Sequence, residues 1–544
     1  MPGLGHTSTQ RRVAFLDGFF DMPSSISVPT VFASMARGLS QAFDVLRLPD
    51  DVRARQAGAR RAVVSRTLAQ SDVAILPGIV SARYILETLF ARPRPSYPIV
   101  YLPVGELPRG AFNLRNALPY LRTHDSVLVN CEADARIVAN LAGRDGPGVG
   151  LAPFEVDTTV FAPLPPARRR AMRAQLGLTP RDVLFLYTGR VCAEKNVHGA
   201  LAAFQALAVS HPHVHFLVLG PNRDHPFPEF GTGPHDMRRV LRRQLASTPA
   251  VADRVHFRSV PRGVGSRGVA EWCGAADVFV NLTLQHDECF GLSAVEAMGT
   301  ALPVIGSAWG GQSDTIAHGT TGFLVDTWVT GSGIRFDQAQ ATAAMTRLAR
   351  SSALRLRLGE AARERALGLY APAPVAARLC SVIDDALTRA SGRRARTRLT
   401  AFGRRFDAAF RGPTPPGYPR PDVVSSLACI PRYETADDYA LYRTLIAPYA
   451  NRSAVPRRRS SDDVLFLRSP FVSLTRTAVR VADPLWPTTR SIDRELTRPV
   501  LAALTRRPFT RMADLRRDIG RGGLGAEVDA LLDEGLIGLS PANA

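Results

Sequence analysis

Along the first 390 residues, short apolar-rich runs alternate with longer stretches of helical periodicity. Residues 12–17 (RVAFLD), 43–48, 72–76, 98–102 and 126–130 have strand length and largely apolar character, the mark of strands buried on both faces of a parallel sheet. Stretches between them, such as 28–42 and 133–141, read as helices. A second series begins near Asp182, with strands predicted at 183–188, 214–220, 254–257, 277–282, 303–306 and 322–325. Its helices are predicted at 197–209, 268–275, 292–299 and 336–369. Two such series predict an α/β chain with two doubly wound parallel-sheet, Rossmann-like domains facing a cleft. Ligands of open α/β sheets bind beyond the carboxyl ends of the strands.

The expected organisation is an N-terminal domain at 12–163 and a second Rossmann-like domain at 164–372. A closing helix at 373–390 and an Arg/Pro-rich linker at 391–421 follow, then a small, mostly helical accessory domain at 422–544. The segment 163–180, rich in Pro, Ala and Arg, reads as a hinge.

With 544 residues the chain has room for three or four domains at roughly 150 residues each. No apolar run approaches the roughly 18–20 residues that span a bilayer, and residues 1–12 lack the apolar core of a secretory signal. The six cysteines form no CxxC pair, which fits a reducing compartment. The expected location is cytoplasmic, with peripheral attachment at the inner membrane face as the alternative. Charge is the more telling feature. Lys and Arg number 68 against 48 acids, and Lys195 is the lone lysine. A chain that uses arginine for almost every cation marks Lys195 as a candidate for a site needing a compact ammonium.

That lysine lies in a motif. The strand LFLYT (184–188) runs into Gly189-Arg190-Val191-Cys192-Ala193-Glu194-Lys195-Asn196, then into a helix. Gly189 permits a tight turn, and two cations beside a helix N-terminus suit a diphosphate. The alternative for Arg190 is a solvated loop bridge to Glu194. The strand at 277–283 leads into Glu288-Cys289-Phe290-Gly291-Leu292-Ser293-Ala294-Val295-Glu296. Here Gly291 marks close backbone approach and Ser293 is a candidate cap. Glu288 falls in the loop and Glu296 within the helix, so one can meet sugar hydroxyls and the other a ribose. A third strand ends in the paired turn Gly310-Gly311, with Asp314 just beyond. GxGxxG occurs at 263–268 and 520–525 without the strand–turn–helix setting, so no dinucleotide site is expected.

These segments resemble the donor-binding half of the retaining family-4 glycosyltransferases of GT-B fold. GR-x4-K matches Gly189, Arg190 and Lys195; E-x7-E matches Glu288 and Glu296. AADVFVNLT, ECFGLSAVEAM, LPVIGS and GTTGFLV follow the family wording, and EVDTTVFAP resembles its domain junction. The likeness spans residues 12–390, strongest over 183–326.

It implies transfer of a sugar from a nucleoside-diphosphate sugar with retention of configuration, with no cofactor beyond that co-substrate and no metal. By resemblance, Arg190 and Lys195 neutralise the departing diphosphate and Glu296 binds the ribose. Glu288, with the backbone at Phe290, Gly291 and Leu292, holds the sugar, while Gly310 and Gly311 keep the family's turn. No DxD motif exists, so metal ligands of that type are missing. The first half departs from the family. Gly18-Phe19-Phe20-Asp21 and Ser24-Ser25 replace its paired glycines, and Val104, before Gly105 and Glu106, stands where a histidine is common. Nearby His124 reads as a surface residue at a helix end. A sugar-nucleotide epimerase or hydrolase on the same fold is the alternative enzyme, and the acceptor (peptide, lipid, glycan or natural product) is not named by the sequence.

Residues 391–544 carry 26 Arg against 16 acids, a charge that would attract an anionic membrane or nucleic acid. Residues 495–539 read as three short helices and a wing, with Leu501, Leu504, Leu515, Ile519, Val528, Leu531, Leu532 and Leu536 as core. The phrase VDALLDEGLIGL is similar to winged-helix domains, and with strands at 464–481 the region faintly resembles precursor-peptide-binding domains. The helix at 526–534 is mostly acidic, so base readout is not expected there, although Arg511, Arg516 and Arg517 could touch phosphates. A tethered binding protein is therefore the non-enzymatic alternative.

Overall fold

A computed structural model describes residues 10–17, 27–49, 51, 57–77, 97–103, 118, 121–221, 237–260, 265–330, 333–390, 397–409, 436–452, 464–467, 472–474, 479–481, 490–492, 497–507, 510–520, 524–533 and 537–540. Gly18 to Asp21, Ser24, Ser25, Val104 to Glu106, Gly263, Leu536 and the proline-rich stretch 411–421 lie outside them. The chain groups into two compact units, Met1–Glu155 with Leu369–Glu434, and Val156–Gly368 with Thr435–Ala544.

The first unit holds a six-stranded parallel sheet. Its strands are β1 (Arg12–Phe15), β2 (Asp44–Arg47), β3 (Val73–Pro77), β4 (Ile99–Leu102), β5 (Ser126–Val129) and β6 (Gly148–Leu151), in the order β2-β1-β3-β4-β5-β6. The five predicted strands are present; β6, GVGL, carries too little apolar signal to be read from sequence. Helix Pro372–Arg389 packs on helix Ser27–Leu39, where Gly38 lets Ala376 approach. The expectation for His124 fails: it is 2% exposed. It sits beside the fully buried Asp125, whose carboxylate takes hydrogen bonds from the Arg122 guanidinium and the Ile99 amide.

The second unit repeats the architecture with β7 (Val183–Thr188), β8 (Val214–Leu219), β9 (Val255–Arg258), β10 (Val278–Asn281), β11 (Val304–Ser307) and β12 (Gly322–Val325). Their order is β12-β11-β10-β7-β8-β9, all parallel. The chain winds one way from β7 to β9 and the other way from β10 to β12. The topological switch, where such sheets bind ligands, therefore falls between β7 and β10.

One helical expectation is corrected. The stretch 336–369 is two helices, Gln338–Arg350 and Ser352–Leu369, broken at Ser351. It follows a hairpin of β13 (Thr327–Thr330) and β14 (Gly333–Phe336). The segment 163–180 contains helix Pro166–Ala174, started by a proline whose fixed φ suits the first turn. Arg169 and Arg173 anchor it to Asp277 at 2.6 and 2.8 Å.

In the C-terminal region, β15 (Val464–Leu467) lies apart from a small antiparallel sheet of β16 (Val472–Leu474), β17 (Val479–Val481) and β18 (Arg490–Ile492). Helices Thr497–Arg506, Met512–Ile519 and Leu524–Asp533 follow. β15 pairs with β19 (Thr510–Arg511) and β20 (Ile537–Ser540). Leu501, Leu504, Leu515, Val528, Leu531 and Leu532 form the core as expected, Ile519 sits at its edge, and Leu465 and Met512 join it. β20 packs on helix Gln338–Arg350 of the same unit. No single helix among the described residues is long and apolar enough to cross a membrane.

Candidate active site

The loops that leave β7 and β10 at the switch point are stitched together. After β7, residues 193–195 make one 3-10 turn and Asn196 takes a left-handed conformation before helix Val197–Ala208. Asn196 donates its side-chain amide to the Leu282 carbonyl, and the Leu284 amide donates to the Glu194 carbonyl. The cationic and acidic motifs thus come to the same place. Lys195 Nζ lies 2.6 Å from Glu288 Oε2, to which Thr283 also donates. The two side chains are 17% and 10% exposed, so the contact is partly shielded from water.

Arg190 forms the bridge to Glu194, at 2.6 Å, but not as a solvated pair: Glu194 is 3% exposed and Arg190 27%. Burial works against the Arg190 charge, yet the Glu194 carboxylate outweighs it and holds the guanidinium above its ordinary pKa. Among the described residues, one of its nitrogens, Nη1, is buried without a hydrogen-bond partner. A buried donor left unpaired costs about 1–3 kcal/mol, so it calls for an acceptor that a bound molecule would bring. Burial pushes the neighbouring Cys192 thiol up to about 12.

Helix Leu292–Gly299 starts from Gly291, which caps it at φ 83°. Ser293 is therefore not the cap; it lies in the first turn and accepts from Asn281. Glu296 is half-buried, and among the described residues no group donates to it. Burial raises its carboxyl to about 8. At the end of β11, the Gly311 amide donates to the Glu288 carbonyl and the Gly310 amide to the Tyr449 carbonyl. The Gly311 amide thus holds the acidic loop, while the Gly310 amide holds the backbone at Tyr449.

The family model described as "Glycosyl transferases group 1" matches residues 182–348. These residues form a group 1 glycosyltransferase domain. It resembles D-inositol 3-phosphate glycosyltransferases: that of a Nocardioides species is 28% identical over 262 residues, covering 48% of this chain and 54% of that one. The Streptomyces scabiei protein is 31% identical over 221 residues, 40% of this chain and 47% of that one. The chain thus spans about half the length of the curated relatives it matches. Sucrose-phosphate synthase from Thermosynechococcus elongatus aligns with a TM-score of 0.50 at 18% identity, over 69% of this chain and 98% of that one. Anabaena HepE, solved with UDP-glucose, gives 0.50 at 16%, over 69% and 99%. The two six-stranded parallel sheets are those of the GT-B fold.

Several residues around these loops carry no signal that the sequence pattern alone would show. The Trp309 indole donates to the Gln285 carbonyl at 2.7 Å, and Ser307 donates to the Thr283 carbonyl at 2.6 Å. Trp309 lies in a segment that could be read as part of the glycine turn. His286, Tyr442 and Tyr449 carry no local signal, because their partners are more than 100 residues away in sequence.

Proposed function

We propose that the chain transfers a sugar from a nucleoside-diphosphate sugar to an acceptor with retention of anomeric configuration, using side-chain cations rather than a metal. The observation that carries this reading is the meeting of Arg190, Lys195 and Glu288 at the switch point of the second sheet, with one Arg190 nitrogen unpaired. Arg190 and Lys195 would grip the diphosphate. As the bond from the anomeric carbon to the diphosphate oxygen breaks, negative charge grows on that oxygen, and fixed cations in a shielded site stabilise it. The acceptor hydroxyl then bonds to the same face of the anomeric carbon and its proton passes to the diphosphate. Glu296 would accept hydrogen bonds from ribose hydroxyls, for which its carboxylate is unencumbered. Glu288, with the backbone at Phe290, Gly291 and Leu292 and with Ser293 close by, would hold the donor sugar. The UDP and UDP-glucose bound to the Anabaena structures support a uridine donor as the first candidate.

Thermal-shift titration with nucleoside diphosphates and their sugar conjugates tests it, since a ligand of the folded state raises apparent stability. A rise with one nucleotide series, followed by release of nucleoside diphosphate and a first-formed sugar product of retained configuration by proton NMR, is expected. No shift with any nucleotide refutes the reading. Turnover to a rearranged nucleotide sugar, with none transferred, favours an epimerase.

A further inference from the structure

We propose that residues 442–452 are positioning residues that hold the acidic loop and hence Glu288, an inference that rests on the donor-site reading above. They lie well beyond the matched domain, yet they contact the segments that build the site. Tyr442 shares a hydrogen bond between its hydroxyl and His286 Nδ1, and the two rings stack at 5.6 Å. Both side chains are buried. His286 stands two residues before Glu288.

Seven residues on, Tyr449 packs edge-on against Trp309 at 5.4 Å, and Ala450 forms an antiparallel bridge with Trp309. Trp309 in turn holds the Gln285 carbonyl. The Tyr449 carbonyl accepts from the Gly310 amide, and Gly310 lies sandwiched: a Cβ there would come 2.3 Å from the Glu288 carbonyl oxygen and 2.6 Å from the Tyr449 ring. One glycine thus separates Tyr449 from the backbone of Glu288. The strap is then tied down at its end. The Thr327 amide donates to Asn451 Oδ1, and the Arg452 amide to the Thr327 carbonyl. Asn451 Nδ2 and Arg452 Nε both donate to Asp326, at 2.7 and 3.0 Å.

These contacts reach the loop from two sides, through His286 and through Trp309. A strap that only covered apolar surface would need neither the paired hydroxyl and imidazole nor the amide bond at Gly310. Because the loop is fixed before any sugar arrives, Glu288 need not be ordered by the ligand, which lowers the cost of reaching the reactive geometry.

Tyr442→Phe in the full chain tests the assignment, with Val528→Ala, in the distant C-terminal core, as a control for lost stability. Hydrogen exchange at amides 285–290, UDP affinity and UDP-glucose breakdown are measured for each. For Tyr442→Phe, loop exchange should rise about tenfold and kcat fall about tenfold, the effect of one net hydrogen bond, while UDP affinity stays within about twofold because the diphosphate cations are untouched. Val528→Ala should lower the melting midpoint without changing loop exchange or kcat. Unchanged loop exchange and kcat in Tyr442→Phe, or a fall in kcat that merely tracks UDP affinity, overturns the proposal. If the wild type takes no nucleotide, the donor reading has failed independently. Loop exchange then decides the strap: a rise sustains it and no rise overturns it.

Discussion

At the scale of the residue, two carboxylates eight positions apart live in different electrostatic worlds. Glu288 is paired with Lys195 and Thr283, whereas Glu296 faces no donor among the described residues and is raised to about 8 by burial. The sign of the consequence follows. Between its ordinary value of 4.5 and about 8, the folded protein holds a proton on Glu296 that the unfolded chain has released. This group's contribution to stability is therefore fully present below pH 4.5, declines as pH rises, and is gone above about 8. Glu296→Gln should remove that decline, so its melting midpoint gains on the wild type across that window. Hydroxyl donors favour the carboxylate form, so nucleotide affinity should rise with pH towards 8 in the wild type and stay flat in Glu296→Gln. Equal pH slopes in the two proteins would contradict the role. The sequence revealed the identity of these residues, since Lys195 is the lone lysine and the carboxylate spacing is distinctive. It offered the Arg190–Glu194 bridge only as a solvated alternative and did not reveal that the bridge would be shielded, because that depends on packing around the loop.

Among the elements, strands were legible where apolar runs are continuous and illegible where they are not. β7 and β10 read clearly because they are buried on both faces, while β6 and the β13–β14 hairpin do not stand out. The turn at Gly310 was legible, but not why it needs glycine: φ is 53° and two chain segments close on it. Gly310→Ala should destabilise the protein by about 1–3 kcal/mol through overpacking, read as a lower urea midpoint, with loss of sugar transfer. An unchanged midpoint would mean that Tyr449 is not seated there. The small C-terminal core was predicted well from its spacing, and Leu504→Ala should cost about 2–5 kcal/mol by leaving a cavity in it, measured by denaturant melts.

For the whole molecule, the pattern of strands and helices foretold two Rossmann-like sheets, and the switch point followed from their order. What composition could not foretell is that residues 436–452 fold back upon the loops after β10 and β11 of the second unit, a contact set by tertiary packing rather than by any local motif. The account rests on the cations after β7 acting on a departing diphosphate. Turnover of a nucleotide sugar by the wild-type chain and by Lys195→Ala, both checked for an intact fold by circular dichroism, tests this most directly. The account predicts a loss of about 10²–10³ in kcat with the fold retained. Turnover at the wild-type rate in a folded Lys195→Ala protein would contradict it.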